Sequence, residues 1–194
     1  MNFNKEQPYN NLPLLLPDNN IWETMEIYKN LAEALAALAE LKGRLPVIPN
    51  PLMLINTLVL QEAKDSSTIE NIFTTNDELY KAFSSSSPNV NPSTKEVLRY
   101  REALWSAFAK LKSPTSYSVG LAVEIFKTIT GKDEGIRTVQ VYIGSSNSVV
   151  YTPPEHGNNL MDKLNNWFDT ALNNNSIDPL IKMAMLHYQF EAIH

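Results

Sequence analysis

Three side chains near the end of the chain have the types and spacing to do chemistry. His187, Glu191 and His194 follow one another at steps of four and three residues, so in a helix they share one face. One interpretation is structural, with a packed histidine and a buried, hydrogen-bonded carboxylate. The other is a metal site in a metal-dependent hydrolase, for which Zn²⁺ would need a fourth ligand or a water. The spacing differs from that of the zinc proteases.

A second polar group stands in the middle of the chain, where Ser66 is followed by Glu70 and Asn71. Ser66 at such a position is typical of a helix cap, and a glutamate near a helix end is typical of a solvated surface. Asn71 can adopt the left-handed conformation that ends a helix. A functional role for Glu70 stays open beside these structural interpretations.

Residues 138–151 predict a β-hairpin. Apolar and polar side chains alternate over 139–143, residues 144–148 read Gly-Ser-Ser-Asn-Ser, and 149–151 read Val-Val-Tyr. A lone hairpin is marginally stable in water, so we expect it to dock on helices or on a partner. Its exposed edge could add a strand from a bound protein, or the hairpin could be a simple structural flap.

Helices must position these groups, because the rest of the chain has helical periodicity and helix-capping signals. Leu12 to Leu16 are too apolar for a free tail and should lie across the domain, and residues 84–92 read as a linker. Ser93 and Glu96 form a predicted capping box. Gly131 should end a helix, and Asp178 with Pro179 should begin the last one. Helices are predicted over 19–42, from 50 to about 73, and over 75–83, 93–111, 118–130, 157–172 and 178–194.

Composition narrows the class of partner. The net charge of −5 argues against a nucleic-acid binder, which needs a basic face. Cysteine is absent, which rules out disulfides and thiolate metal sites. There is no apolar leader at the start and no run of about 20 apolar residues. We therefore expect a cytoplasmic protein that binds neither membranes nor nucleic acids.

Taken together, these features resemble the Fic family, in particular members with an inhibitory helix in an N-terminal extension. The run from Leu186 to His194 resembles the approach to the motif His-Pro-Phe-x-(Asp/Glu)-Gly-Asn-Gly-Arg-x-x-Arg, with His194 as its first histidine. Ser66-x-x-x-Glu70-Asn71 resembles the inhibitory pattern (Ser/Thr)-x-x-x-Glu-(Gly/Asn). The stretch from Gly135 to Arg137, the hairpin and Tyr151-Thr152-Pro153-Pro154 resemble the family's flap segment.

The resemblance implies a protein adenylyltransferase, which transfers AMP from ATP to a Ser, Thr or Tyr hydroxyl of a target protein (AMPylation). It implies that His194 is the catalytic base and that Glu70, with Ser66 and Asn71, belongs to an autoinhibitory motif. Val141, Tyr142 and Ile143 would form the target-docking part of the flap. ATP and Mg²⁺ are the implied cofactors of a complete protein.

The same resemblance implies a mainly α fold with one hairpin flap. Residues 1–92 would be an extension with an inhibitory helix over about 62–72, and residues 93–194 an incomplete Fic core that includes the flap hairpin at 138–151. The rest of the motif does not occur among the 194 residues. We therefore expect this chain to be truncated at the motif, to be inactive alone, to hold no nucleotide or metal tightly and to self-associate. The alternative classes are a non-catalytic protein-interaction module and the metal-dependent hydrolase.

Overall fold

The computed structural model describes residues 4–84, 90–111, 117–145, 147–173 and 176–193. Within them it has eight α-helices, one short 3-10 helix and one two-stranded sheet, so the mainly α prediction is confirmed. The elements are α1 (Asn19–Trp22), α2 (Met25–Arg44), the 3-10 helix (Leu45–Val47), α3 (Pro51–Ile69), α4 (Asn76–Ser84), α5 (Pro92–Lys110), α6 (Val119–Thr130), β1 (Ile143–Ser145), β2 (Ser148–Tyr151), α7 (Asn158–Asn173) and α8 (Pro179–Ile193).

The chain divides into two compact units. The first comprises Met1–Ala39, Tyr117–Val119 and Ile136–His194, and the second comprises Glu40–Ser116 and Gly120–Gly135. The predicted domain boundary at residue 92 stays a prediction, because compact packing units need not follow family domains.

In the first unit, the segment before α1 packs on α7 and α8. Leu12 is buried with Leu160, Leu164 and Ile193. The Lys163 ammonium donates to the Leu12 carbonyl at 2.9 Å, and the Asn166 side chain bonds both the N–H and the C=O of Leu15 at 2.7 Å. Gln189 donates to the Pro13 carbonyl at 2.8 Å. Because side chains satisfy this irregular backbone, the N-terminal run lies on the body of the unit, as predicted.

The predicted helix over 19–42 is two helices in the structure. Thr24 separates them, because its hydroxyl accepts a hydrogen bond from the Ile27 N–H at 3.2 Å and so begins α2. Trp22 at the end of α1 is buried with Ile177 and Ile181, and Leu31 packs against this cluster. Three further leucines of α2 are exposed, namely Leu35, Leu38 and Leu41.

In the second unit, α3, α4 and α5 share a small core of Leu60, Ala63, Leu79 and Val97. Asn50 caps α3 by accepting from the Met53 N–H at 3.1 Å, with Pro51 in the first helical position, as predicted. The cap of α5 is Asn91, which accepts from the Thr94 N–H at 2.7 Å with Pro92 next in the chain. The predicted Ser93–Glu96 capping box is therefore wrong, because the N-cap lies two residues earlier, at Asn91.

The hairpin is shorter than predicted. β1 covers only Ile143–Ser145, so Val139 and Val141 precede the strand. Ser145 pairs with Ser148 and Ile143 with Tyr151, while an irregularity between Ile143 and Gly144 leaves Val150 out of register. An extra residue on one strand is a β-bulge, which increases the local twist.

Candidate functional site

The base of the flap is attached to the end of α8. The Tyr151 hydroxyl, at the end of β2, donates to the Ala192 carbonyl at 2.7 Å. Arg137, which precedes the hairpin, donates through Nη2 to the Ile193 carbonyl at 3.2 Å and also to the Pro154 carbonyl. The structure therefore brings the two ends of the flap segment onto the last turn of α8.

The N-terminal segment holds the same flap base from a second direction. Thr152 is buried, its hydroxyl donates to the Lys5 carbonyl at 2.7 Å, and its carbonyl accepts from the Tyr9 N–H at 3.1 Å. Pro153 and Pro154 are fully buried. This base is well packed, although β1 itself is exposed.

Burial sets the electrostatics at this attachment. Desolvation raises the pKa of the Tyr151 phenol to about 12, so the hydroxyl keeps its proton at neutral pH. Desolvation also lowers the pKa of the Arg137 guanidinium, which nonetheless stays charged because its ordinary value is so high. Its Nε and Nη1 groups are buried without a hydrogen-bond partner among the described residues.

The last helix, α8, leads in the sequence to His194, the predicted catalytic residue. α8 begins with Asp178 and Pro179, as predicted, and Ile193 near its end is fully buried. The Trp167 indole donates to the Leu186 carbonyl at 2.7 Å. His194, the predicted catalytic residue, lies outside the described residues, so its role stays a prediction.

His187 and Glu191 are both exposed on α8. The interpretation that they are a packed histidine and a buried carboxylate is therefore wrong. The described part of the chain contains no group of three His, Asp or Glu side chains that could hold a metal. Because His194 is outside that part, the set of His187, Glu191 and His194 stays an untested hypothesis.

The predicted docking residues differ in exposure. Val141 is half-buried, whereas about half of the surface of Tyr142 (50%) and of Ile143 (55%) is exposed. Only Ile143 belongs to β1. Both strands of this two-stranded sheet have an outer edge without a strand neighbour among the described residues. Such edges offer backbone groups for β-addition.

The predicted inhibitory motif forms the end of α3, in the second unit. Asn71 has φ of 62°, its N–H donates to the Thr68 carbonyl at 3.1 Å, and the Ile72 N–H donates to the Ser67 carbonyl at 2.9 Å. These two bonds are those of a Schellman motif, so the predicted left-handed cap at Asn71 is confirmed. The Ser66 hydroxyl donates to Glu62 at 2.9 Å.

Glu70 occupies the C-cap position of α3 and is exposed. Among the described residues its carboxylate has no hydrogen-bond or ion-pair partner, so it is free to accept one. Of the inhibitory helix predicted over about 62–72, residues 62–69 form the second part of the longer α3, and residues 70–72 form its C-terminal cap. The structure thus gives Glu70 a fixed backbone and an exposed side chain.

The first unit also has an apolar groove, which we call the α8 groove. Its cavity volume is about 700 Å³, and its lining includes Leu14, Ile21, Trp22, Met185 and Tyr188. It lies between the N-terminal segment, α1, α2 and α8. Ile21 and Tyr188 are among its most exposed members.

Sequence reasoning missed Arg137 and Tyr151 as anchors of the flap. Both stand in segments that resemble the family's flap region, but their partners are 56 and 41 residues further along the chain. The available signal was an arginine directly before the predicted hairpin and a tyrosine at the end of its return strand. Neither signal identifies a partner.

Comparison with known families finds two matching regions in the chain. Residues 28–109 match the family described as Fic/DOC family N-terminal, and residues 116–194 match the Fic/DOC family itself. Across the described residues, no helix has the length and apolar character to cross a bilayer. The general activity of Fic-type proteins is transfer of AMP or another nucleoside monophosphate. The chain therefore belongs to the Fic/DOC family.

Proposed function

We propose that the protein containing this chain transfers AMP from ATP to a Ser, Thr or Tyr hydroxyl of a target protein. The observation that carries the proposal is the flap hairpin fixed to the last turn of α8, directly before His194, in a chain matched by both Fic/DOC regions. A flap fixed to the helix that leads into His194 suits a reaction in which a bound segment must present its hydroxyl.

In the proposed reaction, the His194 imidazole takes the proton of the target hydroxyl. The hydroxyl oxygen forms a bond to the α-phosphorus of ATP, the bond from that phosphorus to the bridging oxygen breaks, and pyrophosphate leaves. Imidazole suits the general-base role because its pKa lies close to neutral. Holding the two reactants in line supplies much of the rate enhancement in such transfers.

The flap would dock the target by pairing with its backbone. Ile143 and Val150 are exposed on the two strands, at 55% and 62%, and can contact side chains of an added strand. Backbone hydrogen bonds recognise any extended segment, so the target need share only a conformation near the modified hydroxyl.

Glu70 would restrain the reaction as an inhibitory residue, with Ser66 and Asn71 shaping the helix end that carries it. Support comes from the exposed carboxylate at a C-cap whose backbone is fixed by the Schellman bonds. The backbone conformation explains the asparagine at position 71, because Gly and Asn tolerate the positive φ that this position of the motif requires.

Mg²⁺ neutralises phosphate charge in transfers of this kind. The described residues do not provide a group of three acidic or histidine ligands for it. The acidic residue and the Gly-Asn-Gly-Arg loop of the family motif do not occur in the 194 residues.

The test uses the protein as its gene encodes it, including whatever follows position 194. Purified protein is incubated with α-labelled ATP, and labelled protein is quantified for wild type, Glu70→Gly and Glu70→Gly/His194→Ala. We expect Glu70→Gly to raise labelling by at least about 10-fold, which corresponds to about 1.4 kcal/mol. The double variant should return to background. An Asp65→Asn variant serves as a matched control, because Asp65 is exposed on the same helix and its carboxylate accepts from Gln61, outside the predicted inhibitory motif.

Equal labelling of wild type and Glu70→Gly would contradict autoinhibition. Labelling that survives His194→Ala would contradict the catalytic assignment. No labelling in any variant, together with capture of an extended peptide by the flap, would favour the non-catalytic interaction module, which the exposed strand edges also support.

A further inference from the structure

We propose that residues 5–15 act as a strap whose attachment to α7 and α8 controls the mobility of the flap. We call this segment the N-terminal strap, and we call its three side-chain partners on the helices, Lys163, Asn166 and Gln189, the latch. The latch acts on the flap through the strap, whose other end binds the flap base. The importance of the strap for AMP transfer rests on the proposed function, whereas the coupling itself does not.

The first part of the strap binds the segment that closes the flap. The Thr152 hydroxyl donates to the Lys5 carbonyl at 2.7 Å, and the Tyr9 N–H donates to the Thr152 carbonyl at 3.1 Å. The Asn10 side-chain oxygen accepts from the Glu155 N–H at 2.8 Å. Thr152 directly follows the last residue of β2 and is buried, so its polar groups need these partners. Movement of this part of the strap would remove them.

The second part of the strap is held by two side chains of α7. The Lys163 ammonium donates to the Leu12 carbonyl at 2.9 Å. The Asn166 amide accepts from the Leu15 N–H and donates to the Leu15 carbonyl, both at 2.7 Å. An amide that pairs with both backbone groups of one residue uses its donor and its acceptor together, which fixes the orientation of that residue. Among the described residues, the hydrogen bonds of the Asn166 side chain go to the strap alone.

α8 supplies the third side chain of the latch. Gln189 is buried and donates to the Pro13 carbonyl at 2.8 Å. Proline has no N–H, so this carbonyl is the backbone group of Pro13 that needs a partner. The latch thus binds the backbone at Leu12, Pro13 and Leu15, which belong to no helix or strand. It therefore supplies the hydrogen bonds that secondary structure would otherwise provide.

The two parts of the strap are joined by short, hydrogen-bonded turns. The Leu12 N–H donates to the Tyr9 carbonyl at 3.1 Å, and the Asn10 N–H donates to the Pro8 carbonyl at 2.8 Å. Only Asn11 stands between Asn10, which binds the flap base, and Leu12, which binds the latch. Displacement of one part should therefore displace the other. Because coupling between two sites is reciprocal, loosening either attachment should loosen the other.

Apolar contacts keep the strap in place when a single latch bond is lost. Leu12 is buried with Leu160 and Leu164 of α7. Burial of a leucine side chain is a substantial favourable contribution that does not depend on the hydrogen bonds beside it. Loss of one latch residue should therefore raise the frequency of local opening without unfolding the unit, which makes the coupling measurable.

The test measures hydrogen exchange, by NMR, in the protein as its gene encodes it. Asn166→Ala removes both bonds to Leu15. Thr152→Val removes the hydroxyl at the flap base and keeps the shape of the side chain. The matched control is Asn165→Ala, because Asn165 is exposed on the same helix and forms no hydrogen bond with the strap among the described residues.

We expect Asn166→Ala to speed exchange about 10-fold at the Leu15 amide, because lost hydrogen bonds raise the population of locally open states. The same change should reach the Tyr9 and Glu155 amides, which bond across the strap and the flap base. Amides at 149–151 in β2 should also exchange faster. The control variant should match wild type at all of these positions.

The reverse direction is tested by Thr152→Val, which should speed exchange at the Leu15 amide although the Asn166 side chain is unchanged. Circular dichroism verifies that each variant is folded. If Asn166→Ala does not fold, the Leu15 amide of Thr152→Val decides the question. An unchanged Leu15 amide in Thr152→Val would overturn the coupling. So would Asn166→Ala with fast exchange at Leu15 and wild-type exchange at Tyr9 and Glu155, because the two attachments would then be independent.

A second readout connects the strap to AMP transfer. In the Glu70→Gly background, Asn166→Ala should lower labelling by α-labelled ATP about 3- to 10-fold relative to Asn165→Ala, because binding weakens as the competent conformation becomes less populated. Equal labelling of the two variants would overturn the role of the strap in transfer. If the Glu70→Gly parent is not labelled at all, the proposed function fails, and hydrogen exchange still decides whether the latch and the flap are coupled.

Discussion

Two residues with positive φ shape the parts of this protein that bear on function. Asn71, at 62°, ends α3 beside Glu70, and Gly144, at 123°, lies in β1 of the flap. Asn is one of the few side chains that tolerate the left-handed region, whereas a φ as large as that of Gly144 is nearly confined to glycine. The residue types at these two positions therefore follow from the backbone.

Gly144→Ala should disrupt the flap and leave the rest of the first unit folded. A Cβ at Gly144 would lie 2.3 Å from the Ser148 carbonyl oxygen, and both of those atoms belong to the hairpin itself. Strained backbone of this kind costs about 1–3 kcal/mol. We expect fast hydrogen exchange at 148–151, with a far-ultraviolet helical signal equal to that of wild type.

The control for this prediction is Gly135→Ala, since a Cβ at Gly135 meets nothing within 4 Å and its φ is not positive. It should change stability by no more than about 1 kcal/mol. Slow exchange at 148–151 in Gly144→Ala would show that the hairpin accepts a side chain there, contrary to the geometry.

Among the features of the secondary-structure elements, the helix ends are those that the sequence predicted best. Asn50 with Pro51, Asp178 with Pro179, and Gly131 after α6 all stand where their capping chemistry requires. These signals are local, because each cap bonds a backbone group within a few residues. Local rules therefore suffice for them.

Hydrogen bonds between residues that are far apart in the sequence could not be predicted from these local signals. Arg99 bonds the Ile129 and Thr130 carbonyls at the end of α6, as Arg137 bonds Ile193 at the end of α8. The residues around Arg99 and Arg137 in the sequence do not indicate which helix end each arginine will bind. The start of β1 was also predicted wrongly, because the alternation of side chains over 139–143 does not determine where strand pairing begins.

Glu78 at the start of α4 should make stability depend on acid pH. Its carboxylate accepts from the Thr75 N–H at 3.0 Å, and the Thr75 hydroxyl accepts from the Glu78 N–H at 3.2 Å, which is a capping box. Hydrogen bonds from the Thr75 backbone and hydroxyl, and further ones from Thr74 and Asn91, lower the pKa of Glu78 below its ordinary value.

The sign follows from proton linkage. With a folded-state pKa below the unfolded value of about 4.3, the unfolded chain binds more protons in that interval, so the free energy of unfolding rises with pH. The stabilisation is present above the unfolded pKa and is lost as pH falls through the folded pKa. Urea unfolding between pH 3 and 6 should show a smaller acid loss for Glu78→Gln than for wild type.

Gln can keep the capping geometry, so Glu78→Gln mainly removes the charge. The matched control is Glu33→Gln, an exposed position on α2 whose carboxylate has no hydrogen-bond partner in the described part of the chain. Identical acid loss in wild type and Glu78→Gln would contradict the assignment of this pH dependence to the capping box.

Exposed apolar surface is the main feature at the scale of the whole chain. Among large side chains, Leu14 before α1 is 53% exposed, Ile21 on α1 is 67% exposed and Tyr188 on α8 is 71% exposed. Single exposed apolar residues are ordinary, but those that line one concave site, as in the α8 groove, mark surfaces that other molecules cover. The sequence predicted self-association, and the α8 groove is the surface through which we expect it to occur.

We therefore expect this 194-residue chain to self-associate through the α8 groove, and a charge within it to oppose association. Ile21 and Tyr188 line the groove and are 67% and 71% exposed, so replacing them changes no core packing. Light scattering after size-exclusion chromatography should give a mass above 21.9 kDa for wild type that rises with concentration. The Ile21→Lys/Tyr188→Lys variant should move towards the monomer mass, because burying an unpaired ammonium is costly.

The control is Asn20→Lys, which adds the same type of charge on the exposed part of α1, outside the groove lining. This variant should have the same mass as wild type. A monodisperse wild-type monomer at high concentration would contradict self-association, and an equal effect of Asn20→Lys would assign it to net charge instead of the groove.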